Sequence, residues 1–270
     1  MVDILYVIVL YKCRLDETLT YRTLICEDSD KYLFVYDNSP YLQDFERVNM
    51  FYYHDTNNSG IGVAYNMAAE FARENGFKWI LFLDQDTTFP SNAEIVYKNA
   101  IHDHPDINMF VPRLKLLDGR YISPTKYFLK TSYPQKKVKT GYVLFKDAAP
   151  INSGIMVSID SFFRAGGYDP QIILDFSDIC FIERYSRMFE GFFVVDIECV
   201  QNFSVEEREV NKLLPRYLIF LECAKRCKRN GFEDNFAYFF VTLKRTMKLT
   251  LQTRRMCFLK FYYQKYLKTL

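Results

Sequence analysis

Short apolar runs alternate with stretches of helical period through the first hundred residues. Ile4–Val9 has the unbroken hydrophobicity of a strand buried on both faces, and the spacing over Leu15–Cys26 predicts a helix. Tyr32–Tyr36 reads as a second strand that stops at Asp37-Asn38-Ser39-Pro40, a strong turn signal. Met50–Tyr53 reads as a third strand. Gly62–Arg73 reads as a helix with Val63, Met67 and Phe71 on one face, and Trp79–Leu83 as a fourth strand ending abruptly at Asp84. Strands and helices alternating in this order predict an α/β fold with a mostly parallel central sheet covered on both faces.

The middle of the chain is more mixed. Met109–Val111, Tyr142–Phe145, Ile151–Val157 and Phe192–Val195 read as strands, and Ser177–Phe189 as a helix opened by Ser177 or Asp178. From Leu213 the pattern is helical to the end, with basic and aromatic residues interleaved.

Composition sharpens this division. Of 270 residues, 49% are hydrophobic and 25% charged, which suits one large domain with an appendage and excludes disorder. The net charge of +2 conceals an asymmetry: residues 211–270 carry +11 and residues 1–210 carry −9. The seven cysteines are an odd number, and Cys223 and Cys227 have no second pair to complete a zinc site, so reduced thiols in a cytoplasmic protein are expected. The first residues lack the basic start and cleavage site of a signal peptide, and no apolar run approaches the roughly 20 residues of a membrane span. The expectation is a soluble or peripheral protein.

In parallel sheets, ligands bind outside the carboxyl ends of the strands. That rule brings Tyr11, Asp37, the loop 57–62 and residues 84–86 to one edge. Asp84-Gln85-Asp86 offers two carboxylates at a strand end, hard oxygen ligands for Mg²⁺ or Mn²⁺ bridging to a diphosphate; on a solvated loop the same pattern arises by chance. Asp37-Asn38 can accept hydrogen bonds from a base or ribose, or form an Asx turn before Pro40. Asn57-Asn58-Ser59-Gly60-Ile61-Gly62 permits close backbone approach at a helix start, or is an ordinary glycine turn; it lacks dinucleotide and triphosphate loop spacing. Asp175 and Asp178, with Glu183 and Arg184 following, can supply a general base at a helix start, or only a helix cap. His102-Asp103-His104-Pro105 reads as a solvated helix terminus, and His54 has no companion ligand.

Taken in order, these segments resemble a family-2 glycosyltransferase of the GT-A fold. The matching pieces are Val7–Tyr11, Val35–Ser39, Asn58–Asn66, Leu81–Thr87, Ile151–Gly154, Gly166–Asp169 and Asp175–Asp178, across roughly residues 3–205. Leu83-Asp84-Gln85-Asp86-Thr87 is similar to the rhamnosyltransferase-like branch. The resemblance implies a donor side of Tyr11, Asp37, Asn38, Gly60, Gly62, Asn66, Asp84 and Gln85, with Asp37 reading the base and Asp84 the ribose or metal. It implies Asp86, with Asp84, as metal ligands for Mg²⁺ or Mn²⁺, and Asp178 as catalytic base. Asn152, Ser153, Gly154, Asp175 and Arg184 fall on the sugar and acceptor side. Residues 1–105 become a donor nucleotide half, 106–210 an acceptor half, and 211–270 a basic helical extension. The implied reaction is transfer with inversion from a dTDP- or UDP-linked sugar, rhamnose or a hexose, to a hydroxyl of a glycan or lipid-linked acceptor in cell-surface polysaccharide synthesis.

Two departures stand out. Cys180 replaces a second acid after the base, and Val200–Ser204 lacks the histidine that many members use as a further metal ligand. An inactive nucleotide- or glycan-binding relic therefore stays open. So does a haloacid-dehalogenase-type phosphohydrolase with Asp84 as nucleophile and Asp86 as acid, although three strand–helix units before the motif argue against it. In the tail, Phe258, Phe261, Tyr262, Tyr263 and Tyr266 among lysines and arginines suggest anchoring to the anionic inner face of the cell membrane. A helical cap on the main domain fits equally. Nucleic acid is disfavoured by the acidic remainder and the lack of any nucleic-acid motif.

Overall fold

The computed structural model describes residues 3–202 and 209–269. Four strands, β1 (Ile4–Leu10), β2 (Tyr32–Asp37), β3 (Met50–His54) and β4 (Trp79–Leu83), pair in parallel in the spatial order β3-β2-β1-β4. β1 and β4 are separated in chain order by β2 and β3, and lie side by side because the chain crosses back over the sheet after β3. Alternation along β1 explains its continuous hydrophobicity. Leu5 and Val7 face α1 (Ile61–Glu74), where Ala64, Ala68, Ala69 and Ala72 let the helix approach closely. Ile4, Tyr6, Ile8 and Leu10 face the opposite layer, which includes Tyr97 and Ile101 of α2 (Ala93–Asp103). Each fully buried aliphatic side chain contributes about 1.5–3 kcal/mol, so both faces drive the fold.

Beyond β4 the sheet becomes mixed. After the short β5 (Thr87–Thr88) come β6 (Met109–Leu116), the hairpin β7 (Tyr121–Phe128) and β8 (Thr131–Gln135), β9 (Gly141–Leu144) and β10 (Met156–Ser158). Helices α3 (Ile159–Arg164) and α4 (Ser177–Tyr185) precede the long strand β11 (Gly191–Gln201). β10 inserts antiparallel between β4 and β6, and β11 runs parallel to β6 before closing antiparallel onto β5.

Several expectations require correction. Residues 15–26 are not one helix but a 3-10 turn, Leu15–Glu17, followed by a wide turn at Tyr21–Ile25. Threonine side chains compete for the backbone there: Thr18 Oγ1 donates to the Leu15 carbonyl, and Thr20 Oγ1 donates to those of Asp84 and Thr87. Ile151–Val157 is extended only from Met156, because Gly154 sits at φ +84° and Asn152 and Ser153 turn inward. The 177–189 helix stops at Tyr185, and the β7–β8 hairpin and α3 were not anticipated.

The tail forms three helices, α5 (Val210–Arg226), α6 (Phe232–Thr253) and α7 (Cys257–Lys265). They enclose a third core with Ile172, Phe176 and Cys180, the segment that leads into α4. Phe258, Tyr262 and Tyr266 are buried in that core, which corrects their reading as membrane anchors: their rings hold helix to helix. Among the described residues no helix is long and apolar enough to cross a membrane.

Candidate active site

Asp84 and Asp86 follow the buried end of β4, and both are half-buried. Their loop is braced from below. Thr20 binds the carbonyls on either side of it, the Leu19 amide donates to the Gln85 carbonyl at 3.1 Å, and Ser153 Oγ lies 2.7 Å from Thr87 Oγ1. The Gln85 side chain accepts from the Tyr11 amide at 3.0 Å, tying the end of β1 to the acidic loop. Backbone placement of the carboxylates is therefore rigid.

The two acids share a neighbour from the far side of the sheet. Gln201, the last residue of β11, donates from Nε2 to Asp84 Oδ2 at 3.3 Å and to Asp86 Oδ1 at 3.2 Å. Burial raises the Asp84 carboxyl to about 7, with Asp86 and then Asp178 adding repulsion. Burial also raises Asp86. Asp178 is pushed up to about 6, chiefly by burial, against the Ile179 amide that donates to its Oδ1 at 2.8 Å. The repulsion between Asp84 and Asp178 brings residues 94 positions apart into one electrostatic unit. Tyr65 and Tyr168 lie beneath both acids, and their hydroxyls are raised by burial and by that shared charge.

Asp178 sits in the first turn of α4, and its approach is unusual. Phe176, immediately before the helix, adopts φ +69°, a left-handed conformation that costs a non-glycine residue about 1–3 kcal/mol. Its ring is held by Phe220 of α5 at 5.1 Å and Tyr238 of α6 at 5.5 Å. Asp175 is gripped by both guanidinium nitrogens of Arg216, with Arg245 at 3.5 Å. The tail thus fixes the segment that aims Asp178.

Other expected site residues turn inward. Asp37 is fully buried and accepts from the Ser39 amide, Gln43 Nε2 and the Tyr52 hydroxyl at 2.7–2.9 Å, so the Asx turn and a buried network engage it. Asn38 keeps a buried Oδ1 without a partner. A Cβ on Gly60 would meet the Ile173 carbonyl at 2.4 Å, and one on Gly62 the Asp169 carbonyl at 2.8 Å. The close approach these glycines permit is to the chain's own backbone, and the Ile61 amide at the helix start donates to Ile173 as well. Asn66 pairs in both directions with the Tyr168 backbone at 2.8 Å, and Arg184 caps the Gly167 carbonyl. Asn152 accepts from the Tyr168 hydroxyl at 2.6 Å, and the Gly154 carbonyl accepts from Tyr97 at 2.7 Å. These residues position the site rather than facing its opening. His54 binds the Ser39 carbonyl and His102 lies exposed beside Asp103, so neither joins the acids.

The chemistry available is that of two hard oxygen donors and a poised base. Among the described residues no three His, Cys, Asp or Glu gather as a metal cluster, and Phe203 and Ser204 of the stretch expected to hold a histidine lie outside them. Two adjacent carboxylates with raised proton affinity nonetheless suit Mg²⁺ or Mn²⁺, which commonly takes one or two carboxylates and completes its shell from substrate phosphates.

An open α/β sheet ending in an Asp-x-Asp loop, with a base across the edge, defines the GT-A class of nucleotide-sugar transferases. Residues 15–163 match the family described as Glycosyl transferase family 2, and the chain belongs to it. A dTDP-rhamnosyl transferase of Shigella flexneri, RfbF, is 28% identical over 138 residues, 51% of this chain and 46% of that protein. The chain thus spans about half the length of that curated relative. In fold it is similar to GalNAc-T7 with UDP, GalNAc and Mn²⁺ (TM-score 0.55, 12% identity, 88% of this chain and 53% of that one) and to S. aureus TarS 1-349 with UDP-GlcNAc (TM-score 0.52, 13% identity, 91% and 73%). Membership of this family sets aside the phosphohydrolase alternative. The family match ends before Asp178 and does not bear on its role.

Proposed function

We propose that the protein transfers a sugar, with inversion, from a dTDP- or UDP-linked donor to a hydroxyl of a glycan or lipid-linked acceptor in cell-surface polysaccharide synthesis. The observation that carries this reading is the Asp84–Asp86 pair, held by Gln201 at the carboxyl end of β4, in a chain that matches the family. Asp84 and Asp86 would hold Mg²⁺ or Mn²⁺, which when bound supplies positive charge against the departing diphosphate. Asp178, with a proton affinity near neutrality, takes the proton of the acceptor hydroxyl as it attacks; such a base contributes roughly 10²–10⁴-fold. No protein nucleophile is needed. Asn38, with its unpartnered buried acceptor, is the candidate for contact with base or ribose, and Asp37, engaged by Ser39, Gln43 and Tyr52, holds the turn that carries it. Likeness to a dTDP-rhamnosyl transferase supports rhamnose, and the UDP-bound neighbours keep a hexose donor in view.

The basic tail supports a seat on the anionic inner face of the cytoplasmic membrane, though through other residues than the buried tyrosines. Phe232, Phe236, Phe240 and Leu251 of α6 are exposed beside Lys244, Lys248, Arg254 and Arg255. Each basic group near such a surface is worth about 1 kcal/mol. The deciding experiment incubates the protein with Mn²⁺ and dTDP-rhamnose or UDP-hexoses and follows nucleoside diphosphate. Release from one donor supports the transferase; binding without release from any donor, with or without candidate glycan acceptors, supports a relic.

A further inference from the structure

The Gln201 amide has one end too many satisfied and the other not at all. Its side chain is 4% exposed; Nε2 lies between Asp84 and Asp86, while Oε1 is buried with no hydrogen-bond partner. A buried acceptor left unpaired costs about 1–3 kcal/mol. The amide is nearly symmetric in shape, and a half-turn about its last side-chain bond exchanges oxygen and nitrogen without moving anything else. After that turn an oxygen stands about where the nitrogen is, 3.3 Å from one carboxylate oxygen and 3.2 Å from the other. Neighbouring ligand oxygens around an octahedral cation with bonds of about 2.1 Å lie about 3 Å apart. The amide atom therefore stands at ligand-to-ligand spacing from each carboxylate oxygen.

We propose that Gln201 is the third protein ligand of the divalent cation, bound through its amide oxygen. This rests on the reading of Asp84 and Asp86 as metal ligands. Without a cation, the Nε2 hydrogens bridge the two carboxylates and soften their repulsion. With one, Oε1 turns inward to the cation, and Nε2 gives up its two carboxylate bonds for the place Oε1 held. Carbonyl oxygen in place of imidazole makes the protein's share of the site entirely oxygen, a set that suits Mg²⁺ and Mn²⁺ and offers little to Zn²⁺. The remaining positions belong to diphosphate oxygens and water. The arrangement accounts for a buried amide, with one end unpartnered, at the last residue of β11.

The test is Mn²⁺ binding by electron paramagnetic resonance in the presence of UDP or dTDP, with pulsed detection of directly bound ¹⁴N. Wild type is expected to bind Mn²⁺ with no ¹⁴N from the protein. Gln201→His is expected to bind and to acquire a directly coordinated nitrogen. Gln201→Leu is expected to lose about 10–100-fold in Mn²⁺ affinity, whereas Gln201→Glu, which keeps an oxygen, retains binding. Circular dichroism and thermal unfolding identify any variant that is misfolded, and Gln201→Glu then carries the comparison with wild type. Wild-type affinity in Gln201→Leu, or no nitrogen coupling in a Gln201→His that binds Mn²⁺, overturns the assignment and leaves the Asp84–Asp86 site standing. Absence of Mn²⁺ binding by wild type with either nucleotide overturns both.

Discussion

Neutralising Asp84 is expected to stabilise the protein while disabling it. Burial and the neighbouring Asp86 and Asp178 raise its carboxyl from an ordinary 3.8 to about 7. The folded chain therefore holds a proton that the unfolded chain releases, and stability falls as pH rises from about 4 to 7. Charging this group in the fold accounts for about 4 kcal/mol if nothing relaxes. The site is half-open and its acids titrate together, so a gain of about 1–3 kcal/mol is the expectation for Asp84→Asn above pH 7. The asparagine keeps an acceptor for Gln201 and leaves the Thr20 bond to the main-chain carbonyl intact. Urea unfolding of wild type and variant at pH 4 and pH 8, without divalent cations, measures the effect. The gain must be present at pH 8 and nearly vanish at pH 4, where the wild-type carboxyl is protonated in the fold. An equal gain at both pH values would mean a packing effect, and none at pH 8 would mean that Asp84 is not charged against its surroundings.

Three further outcomes follow from the same geometry. Asp178→Asn is expected to lower transfer about 10²–10⁴-fold while binding nucleotide normally, and the wild-type pH–rate profile should fall on the acid side with a midpoint near 6, set by the raised Asp178 carboxyl. Gly60→Ala is expected to cost about 1–3 kcal/mol, because the added methyl at φ +97° strikes the Ile173 carbonyl; a melting curve equal to wild type would refute it. Replacing both Phe236 and Phe240 by serine is expected to reduce flotation with anionic vesicles while leaving the melting temperature within about 2 °C, since both rings are exposed; equal recovery of the two proteins, or wild-type absence from the vesicle fraction, would reject the membrane seat.

The sheet's first half was legible because its physics is local. Strands buried on both faces announce themselves as unbroken apolar runs, and Asp37 and Asp84 mark where β2 and β4 reach the edge. The acidic loop was legible for the same reason. What escaped was whatever depends on distant partners. Thr18 and Thr20 carry a helical spacing, yet their hydroxyls serve Leu15, Asp84 and Thr87, and the predicted helix gives way. Gly60 and Asn66 were placed on the donor side by the family resemblance, and their packing against Ile173 and bonding to Tyr168 could not be read from sequence. Gln201 was passed over as a missing histidine, and its place beside Asp84 and Asp86 depends on the pairing of β11 with β5, which no local pattern announces. The tail's basic count was plain, but burial of Tyr262 and Tyr266 could not be read without knowing which segment α7 covers.

Phe176 carries a consequence for how such a chain can be shortened or recombined. Its left-handed turn persists because Phe220 and Tyr238, contributed by helices that make no part of the sheet, clamp the ring. A chain cut after β11 would keep its two sheet-facing cores and release that clamp. The residue would then slip to an ordinary backbone angle and swing the first turn of α4 with it. The result would be a folded half-enzyme that grips its nucleotide and leaves the incoming alcohol unactivated. The last sixty residues therefore have mechanical leverage over where Asp178 points.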